Sequence, residues 1–458
     1  MRLPRTDRGR LLAAAALVTA VACFTATVPL LRDWFDLRVY YGTVDSWFHH
    51  GGRIYDYRVP GTTYGFTYPP FAAVGMAPMA LVGLRTAIVA ALLLNLVALA
   101  AVLRLLAGPR WRRYGWFRWV TALCLLALFE PLRDTFSFGQ VNLVLLALVL
   151  ADARLLATGR GRWAGVGIGL AAAIKLTPAL FIGLLLVARR WKAAGVASAV
   201  ALAATGLAAW VAPQASRFYW TRALWDTGRV GRLDYVSNQS LQGVLARLGE
   251  PGRPVWATAV LLVLCVWAVR SRRAVAAGDW TAAFALTGLT ACLVSPITWV
   301  HHLVWLLPSF AVLIRTGHRR IAGALYALQC SSVVWLWFDD ASGIDGFLGG
   351  NTYTWITLGL LCRLPAGQPL PGRPLLSRRA SATAAAPRPA AATIAAVSPQ
   401  PGPSSATAAA ATGRAAGRGR GRARSASSEP TGSTRPAAAK PQSSSSRASS
   451  YTASPPPA

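Results

Sequence analysis

The chain has 458 residues, 54% of them hydrophobic and 14% charged, against roughly 45–50% apolar and about 25% charged in ordinary soluble proteins. That composition excludes a soluble enzyme of the usual kind. The 47 Lys and Arg against 16 Asp and Glu give a net charge of +31; with no folded basic module beside it, this excess fits anionic lipid head groups better than nucleic acid.

In chain order, the basic start MRLPRTDRGR is followed by an apolar run from Leu11 to Leu31. At 1.5 Å per residue this run rises ~32 Å, enough to cross a bilayer, and no convincing cleavage site follows it. An uncleaved first helix with its N-terminus inside is expected. Residues 32–70 form a polar and aromatic stretch too long for a simple connection, so a functional outer loop is expected there. Further apolar runs cover 71–84, 86–106, 119–136, 140–157, 163–175, 177–189, 193–211, 254–270, 279–294, 301–315, 320–337 and 350–364. The expected fold class is therefore all-α, a polytopic membrane bundle of about ten to thirteen segments with a long first extracytoplasmic loop. The Arg-rich joints at 108–118, 158–162, 189–192, 270–273 and 315–320 are placed in the cytoplasm. Crossing number is unsettled at 71–84, which is flanked by proline and reads as interfacial or re-entrant. The runs 163–175 and 177–189 read as a short hairpin broken at Lys175-Leu-Thr-Pro178, and broken helices at membrane depth usually line a cavity.

After Arg363 the composition turns to Ala, Pro, Ser, Gly and Arg. Two domains follow: residues 1–364 as the membrane domain and 365–458 as a disordered cytoplasmic tail without enough apolar surface to fold. The six cysteines lie inside or at the ends of apolar runs, so neither disulfide nor zinc site is expected.

Chemistry concentrates in the outer loops. The first holds four acids (Asp33, Asp36, Asp45, Asp56) and eleven aromatics, Tyr40 and Tyr68 among them. Asp36 follows closely on the first helix, where partial desolvation raises a carboxylate's basicity toward neutral pH and suits it to act as a general base. A solvated pairing with Arg32 or Arg38 explains the same spacing equally well. His301 and His302 open a helix on the same side; adjacent residues point to different helix faces, so one is expected to face a cavity while the other packs or meets water. Lys175 is the only lysine within an apolar run, and its expected partner is a lipid phosphate. The second outer loop adds Arg217, Arg222, Arg229, Arg232, Asp234, Asn238 and Gln239, a set able to bind phosphate or sugar hydroxyls but without a diagnostic spacing. No Walker loop, HExxH or Asp-x-Asp pair occurs, so nothing points to a nucleotide-diphosphate donor held through a metal.

Six pieces taken together carry a family likeness: Asp36-Leu-Arg-Val-Tyr40, Phe66-Thr-Tyr-Pro-Pro-Phe71, Gly139-Gln-Val-Asn-Leu143, Ala173-Ile-Lys-Leu-Thr-Pro178, Asn238-Gln-Ser-Leu241 and Ser295-Pro-Ile-Thr-Trp-Val-His-His302. On these the chain resembles the actinobacterial polyprenol-phosphate-mannose-dependent α-1,2-mannosyltransferases of glycosyltransferase family 87, which have the GT-C membrane fold. The resemblance implies an inverting hexosyl transfer from a polyprenyl-phosphate-mannose donor to a glycolipid or glycan acceptor outside the cytoplasm. It makes Asp36 the base and puts a histidine of the 301–302 pair beside the acceptor or the donor phosphate. Lys175, Arg217, Arg222, Asn238, Gln239, Tyr40 and Tyr68 become substrate-binding residues. No cofactor is implied, since the lipid-linked sugar phosphate is a substrate, and no divalent metal is required. Acceptor identity and oligomeric state stay open. Two alternatives also stand: transfer of arabinofuranose from the corresponding polyprenyl phosphate, and a secondary transporter built around the broken hairpin.

Overall fold

The computed structural model describes residues 6–27, 33–108, 115–249 and 252–367. The expected tail falls outside the described residues from 368 onward. The described chain is helical, with a lone antiparallel bridge between Arg58 and Gly65. Its helices are α1 (Asp7–Thr27), α2 (Phe35–His49), α3 (Pro70–Met76), α4 (Leu84–Ala107), α5 (Trp116–Leu128), α6 (Glu130–Phe138), α7 (Asn142–Ala157), α8 (Val166–Ile174) and α9 (Leu180–Val187). Then come α10 (Trp191–Val211), α11 (Pro213–Thr221), α12 (Leu241–Arg247), α13 (Arg253–Ala276), α14 (Trp280–Val294), α15 (Leu307–Arg315), α16 (Arg319–Cys330), α17 (Gly343–Gly349) and α18 (Thr352–Arg363).

Four of these, α1, α4, α10 and α13, are long and apolar enough to cross a membrane, and α6 with α7 makes a fifth span if the pair, bent by 117°, counts as one. The protein is thus a helical membrane protein. Several of the shorter apolar runs serve as interior helices. At 15 residues α14 is too short to span untilted, yet Trp280 and Ala282 through Leu293 are all buried. Its Ala, Gly and Thr side chains let α7, α9, α13, α15 and α18 approach it closely. Trp267 on α13 donates to Thr287 Oγ1 at 2.9 Å, satisfying an indole that lipid could not. Asp279 caps the helix start, accepting the Ala282 N–H at 3.0 Å, and pairs with Arg315, the last residue of α15.

Small residues also set the α8 contacts. A Cβ on Gly165 or Gly169 would lie 2.2 and 2.4 Å from the Ala193 and Ala197 carbonyl oxygens of α10, and one on Gly167 would lie 2.3 Å from the Leu148 carbonyl of α7. Two faces of one short helix are therefore packed backbone to backbone, the association mode available where lipid removes the usual hydrophobic drive. Asp152 on α7 accepts the Ile168 N–H at 2.8 Å and so closes the start of α8.

The loop expected at 32–70 is largely structured. Helix α2 occupies its first half, and with the segment to Phe66, α3 and α11 it forms a second apolar core around Leu37, Tyr40, Ile54, Tyr55, Phe66 and Tyr219. Asp33 and Trp34 enter α2 in left-handed conformations (φ 47° and 54°), unusual for side chains of this size, and the Trp34 N–H is tied to the Ser137 carbonyl at 3.1 Å. The run expected at 71–84 is a short helix followed by a 3-10 turn to Leu81, and the single run expected at 119–136 is broken at Phe129. That break turns Glu130 inward, where it accepts hydrogen bonds from Trp335 Nε1 at 2.5 Å and from the Tyr353 hydroxyl.

The backbone contact at Gly169 yields a direct test. Gly169→Leu forces α8 away from α10 and is expected to lower the Tm of the detergent-purified protein, at a cost of about 1–3 kcal/mol. Gly206→Ala on α10, where a Cβ meets nothing within 4 Å, is the control and should leave Tm in place; equal Tm values for the two variants would refute the close packing.

Candidate active site

A cavity of about 470 Å³ lies along the seam between the two apolar cores, within the usual range for small-ligand sites. Asp36, Tyr40, Tyr68, Lys175, His301 and His302 all line it, so six of the ten site residues expected from sequence meet in one place. Its apolar wall includes Val39, Leu180, Leu224, Val294 and Ile297.

The inner end is a continuous polar network. Asp36 sits in the first turn of α2, and its Oδ2 accepts a hydrogen bond from Gln140 Nε2 at 2.6 Å. The other side of the same amide, Oε1, accepts from the Tyr68 hydroxyl at 2.8 Å, and Tyr40 donates to the Tyr68 oxygen at 3.0 Å. Lys175 occupies the extended residue between α8 and the 3-10 turn Thr177–Ala179, as expected of the broken hairpin. Its Nζ lies 2.8 Å from His302 Nε2, 3.1 Å from Asn142 Oδ1 and 3.3 Å from the Tyr68 hydroxyl. His302 Nδ1 accepts the Trp299 backbone N–H at 3.2 Å, which fixes the ring so that Nε2 faces Lys175. Burial pushes the Asp36 carboxyl up to about 6, while the Gln140 hydrogen bond and the Lys175 charge hold it down. It is thus set where a general base works best near neutral pH. Burial and the Asp36 charge raise the Tyr68 phenol, so it stays neutral and acts as a hydrogen-bonding group.

The histidines differ from expectation in one respect: both face the cavity. They lie in a 3-10 helix, Val300–Leu306, with rings edge to face at 4.6 Å between centroids. His302 meets Lys175, whereas His301 packs on Phe138 at 5.1 Å and its carbonyl accepts from Thr135 Oγ1 and Asn142 Nδ2 at 3.1 and 3.2 Å.

The other four expected residues do not line the cavity. Arg217 and Arg222 are exposed. Asn238 and Gln239 are fully buried and spend their amides on the backbone: Asn238 accepts from Thr298 N at 2.9 Å and donates to Pro296 O at 3.2 Å, while Gln239 donates to the Val236 and Gly350 carbonyls at 2.7 Å each. With Ser240 Oγ donating to Pro296 O at 2.9 Å, they clamp the Ser295–Trp299 strap that leads into the histidines.

Arg229, expected from sequence among the polar residues of the second outer loop, also lines the cavity, whereas Gln140, Asn142 and Asp226 carry no chemistry in the sequence reading. Gln140 and Asn142 stood in a family-like piece, Gly139-Gln-Val-Asn-Leu143, whose neutral amides gave no signal of charge or hydropathy. Gly139 explains their placement: its left-handed conformation (φ 72°) makes the elbow between α6 and α7, and a Cβ there would lie 2.6 Å from Leu37 Cβ. Among the described residues no cluster of three or more His, Cys, Asp or Glu is arranged to hold a metal ion.

Comparison with known proteins places this geometry. Residues 66–296 match the sequence model of glycosyltransferase family 87. The matched span includes Tyr68, Gln140, Asn142, Lys175 and Arg229; Asp36 lies 30 residues before its start and the histidine pair shortly after its end. The chain is 36% identical over 321 residues, 66% of its own length and 72% of the relative's, to a polyprenol-phosphate-mannose-dependent alpha-(1-2)-phosphatidylinositol mannoside mannosyltransferase of Mycobacterium tuberculosis. To a polyprenol-phosphate-mannose-dependent alpha-(1-2)-phosphatidylinositol pentamannoside mannosyltransferase of Mycolicibacterium smegmatis it is 33% identical over 355 residues, 73% of this chain and 84% of that one. No solved structure gives a significant match. An enzyme reading thus prevails over a transporter: the chain belongs to glycosyltransferase family 87.

Proposed function

We propose that the protein transfers mannose, with inversion and in α-1,2 linkage, from a polyprenyl-phosphate-mannose donor to a mannoside hydroxyl of a phosphatidylinositol-mannoside-type glycolipid. The observation that carries the reading is Asp36, a carboxylate tuned to about 6 at the inner end of a largely apolar cavity and facing Lys175 and His302. Asp36 takes the acceptor hydroxyl proton as that oxygen attacks the anomeric carbon. Lys175, held by His302 and Asn142, meets the donor phosphate as the sugar–phosphate bond breaks. The phosphate is a competent leaving group, so orientation, one proton transfer and one fixed cation account for the chemistry without a metal or cofactor. His301 packs beside the pair, and Tyr40 and Tyr68 fix the Gln140 amide. The names of the relatives support the donor and acceptor kinds.

In this reading residues 1–364 form a GT-C-type catalytic domain with about ten to thirteen membrane segments. The tail is dispensable for chemistry, both termini are cytoplasmic, and the cavity opens on the outer face of the cell membrane, as the basic joints dictate. Polyprenyl-phosphate-arabinose is the donor to test beside mannose.

The decisive assay is transfer of radiolabelled mannose from polyprenyl phosphomannose in membranes. Asp36→Asn should lose at least about 100-fold in rate at unchanged expression; retained activity would remove Asp36 from the mechanism. Lys175→Ala should raise the donor KM, and unchanged donor saturation would count against its phosphate role.

Because the working form of Asp36 is the ionised one, activity should be full at neutral pH and fall as pH drops through about 6. Gln140→Leu removes a hydrogen bond that favours the carboxylate, so its acid limb should move to higher pH by roughly one to two units, the equivalent of about 1.5–3 kcal/mol. An unmoved limb would show that Gln140 does not tune the base.

A further inference from the structure

The cavity has two cations and two carboxylates in its lining, arranged as two separate sets: Asp36 with Lys175 inside, and Asp226 with Arg229 in the segment before the second outer loop turns back. The proposed chemistry uses only the first. Arg229 closes a short 3-10 turn, Thr227–Arg229, and its Nη2 donates to the Tyr55 carbonyl at 3.4 Å. Arg58 Nη1 donates to the same carbonyl at 3.1 Å and to that of Tyr57 at 3.2 Å. Two guanidinium groups thus converge on one neutral oxygen, and neither makes an ion pair among the described residues. Arg229 Nε is buried with no hydrogen-bond partner.

The arrangement is held in place. Arg229 rests on the Phe218 ring at 5.3 Å, and Phe218 and Tyr219 flank Tyr55 at 5.5 and 6.0 Å. Gly65, paired with Arg58 in the β-bridge, keeps the path of that side chain open, since a Cβ there would lie 2.4 Å from Arg58 Nη1. Burial and the Arg58 charge push the Arg229 guanidinium down from its usual range, with Asp226 and Asp56 opposing from beyond ion-pair distance. Two guanidinium groups fixed by rings and backbone, sharing one neutral carbonyl and lacking a counter-charge within ion-pair distance among the described residues, supply the charge and donors that a phosphate or carboxylate takes up.

We propose that Arg229, backed by Arg58, binds an anionic group of the acceptor, a phosphodiester head group, at a subsite distinct from the donor-phosphate position beside Lys175. This rests on the mannosyl-transfer reading. The acceptor is favoured over the donor because the donor brings one phosphate, which must sit next to the reacting centre. Asp36 and Lys175 are joined through the Gln140 and Tyr68 side chains, whereas Arg229 is held on the Tyr55 carbonyl and the Phe218 ring and, among the described residues, shares no hydrogen-bond partner with them. The subsite would select anionic glycolipid acceptors over neutral mannosides and fix the distance between the anion and the attacking hydroxyl.

The test compares full-length wild type, Arg229→Gln and Arg229→Lys with phosphatidylinositol dimannoside and with neutral octyl α-mannopyranoside as acceptors. The preference for the anionic acceptor, read as a ratio of kcat/KM values, is expected to fall about tenfold or more in Arg229→Gln, the scale of a lost charge-assisted hydrogen bond, and to be largely kept in Arg229→Lys. Equal loss with both acceptors, or a raised donor KM with both, would overturn the assignment. If Arg229→Gln is not recovered, Arg58→Gln reads the same ratio. Glycerophosphoinositol supplies an arm that needs no turnover: it should raise the Tm of purified wild type and not of Arg229→Gln, and the absence of a shift in wild type would refute the subsite. Wild type inactive toward polyprenyl phosphomannose, with that shift present, would instead sink the mannosyl-transfer reading alone.

Discussion

The hydrogen bond from Gln140 to Asp36 is the constraint around which the site is built. A carboxylate inside a lipid-bounded bundle pays heavily for losing water unless polar partners replace it, yet several strong partners would leave it too acidic to accept a proton. One neutral amide at 2.6 Å with one cation nearby holds it between these limits. Much of the local backbone is arranged to deliver that amide: α6 and α7 meet at a 117° bend, Gly139 makes the bend in a conformation glycine tolerates, and α2 lies so close that no side chain fits between them. The strained entry to α2 at Asp33 and Trp34, tied to Ser137 on α6, fixes the helix start that carries Asp36.

The two apolar cores divide the labour. The larger one, centred on α14, holds the strap and the histidines; the smaller one, made from α2, the segment to Phe66, α3 and α11, carries Asp36, Tyr40 and the Tyr55 carbonyl. A cavity at their seam has one rigid wall from each. Lys175 reaches it only because α8 stops there, which leaves non-helical backbone between two apolar helices, acceptable in a membrane protein where it borders a cavity. Asn238, Gln239 and Ser240 act at one remove, holding the strap whose Trp299 N–H orients His302.

What the sequence revealed follows from what physical signals it carries. Lys175 stood out because a lysine in an apolar run is costly, and Asp36 and the histidines because they fall at the ends of such runs; all four meet at the cavity. Gln140 and Asn142 escaped because neutral amides change neither charge nor hydropathy. Arg217, Arg222 and Arg232 share the 212–253 segment with Arg229, and composition cannot tell which of these four arginines turns inward; Asn238 and Gln239 are polar for the sake of buried carbonyls. The broken hairpin was visible through its proline. The break at Phe129 was harder to see, because Glu130 is drawn inward by Trp335 and Tyr353, more than 200 residues away.

The same electrostatics give the proposed reaction a direction. A sugar phosphodiester carries one negative charge, and the departing polyprenyl phosphate gains a second as the acceptor proton reaches Asp36. The site as a whole therefore neither gains nor loses charge; negative charge moves from the carboxylate toward Lys175. In a water-poor cavity that movement is favourable where a fixed cation already waits at its end, and Asn142, Tyr68 and His302 hold the Lys175 amine there before any substrate binds. Arg229 and Arg58 are held by contacts of their own, on the Tyr55 carbonyl and the Phe218 ring, so on this account the protein separates the charge that moves during transfer from the charge that only anchors the acceptor.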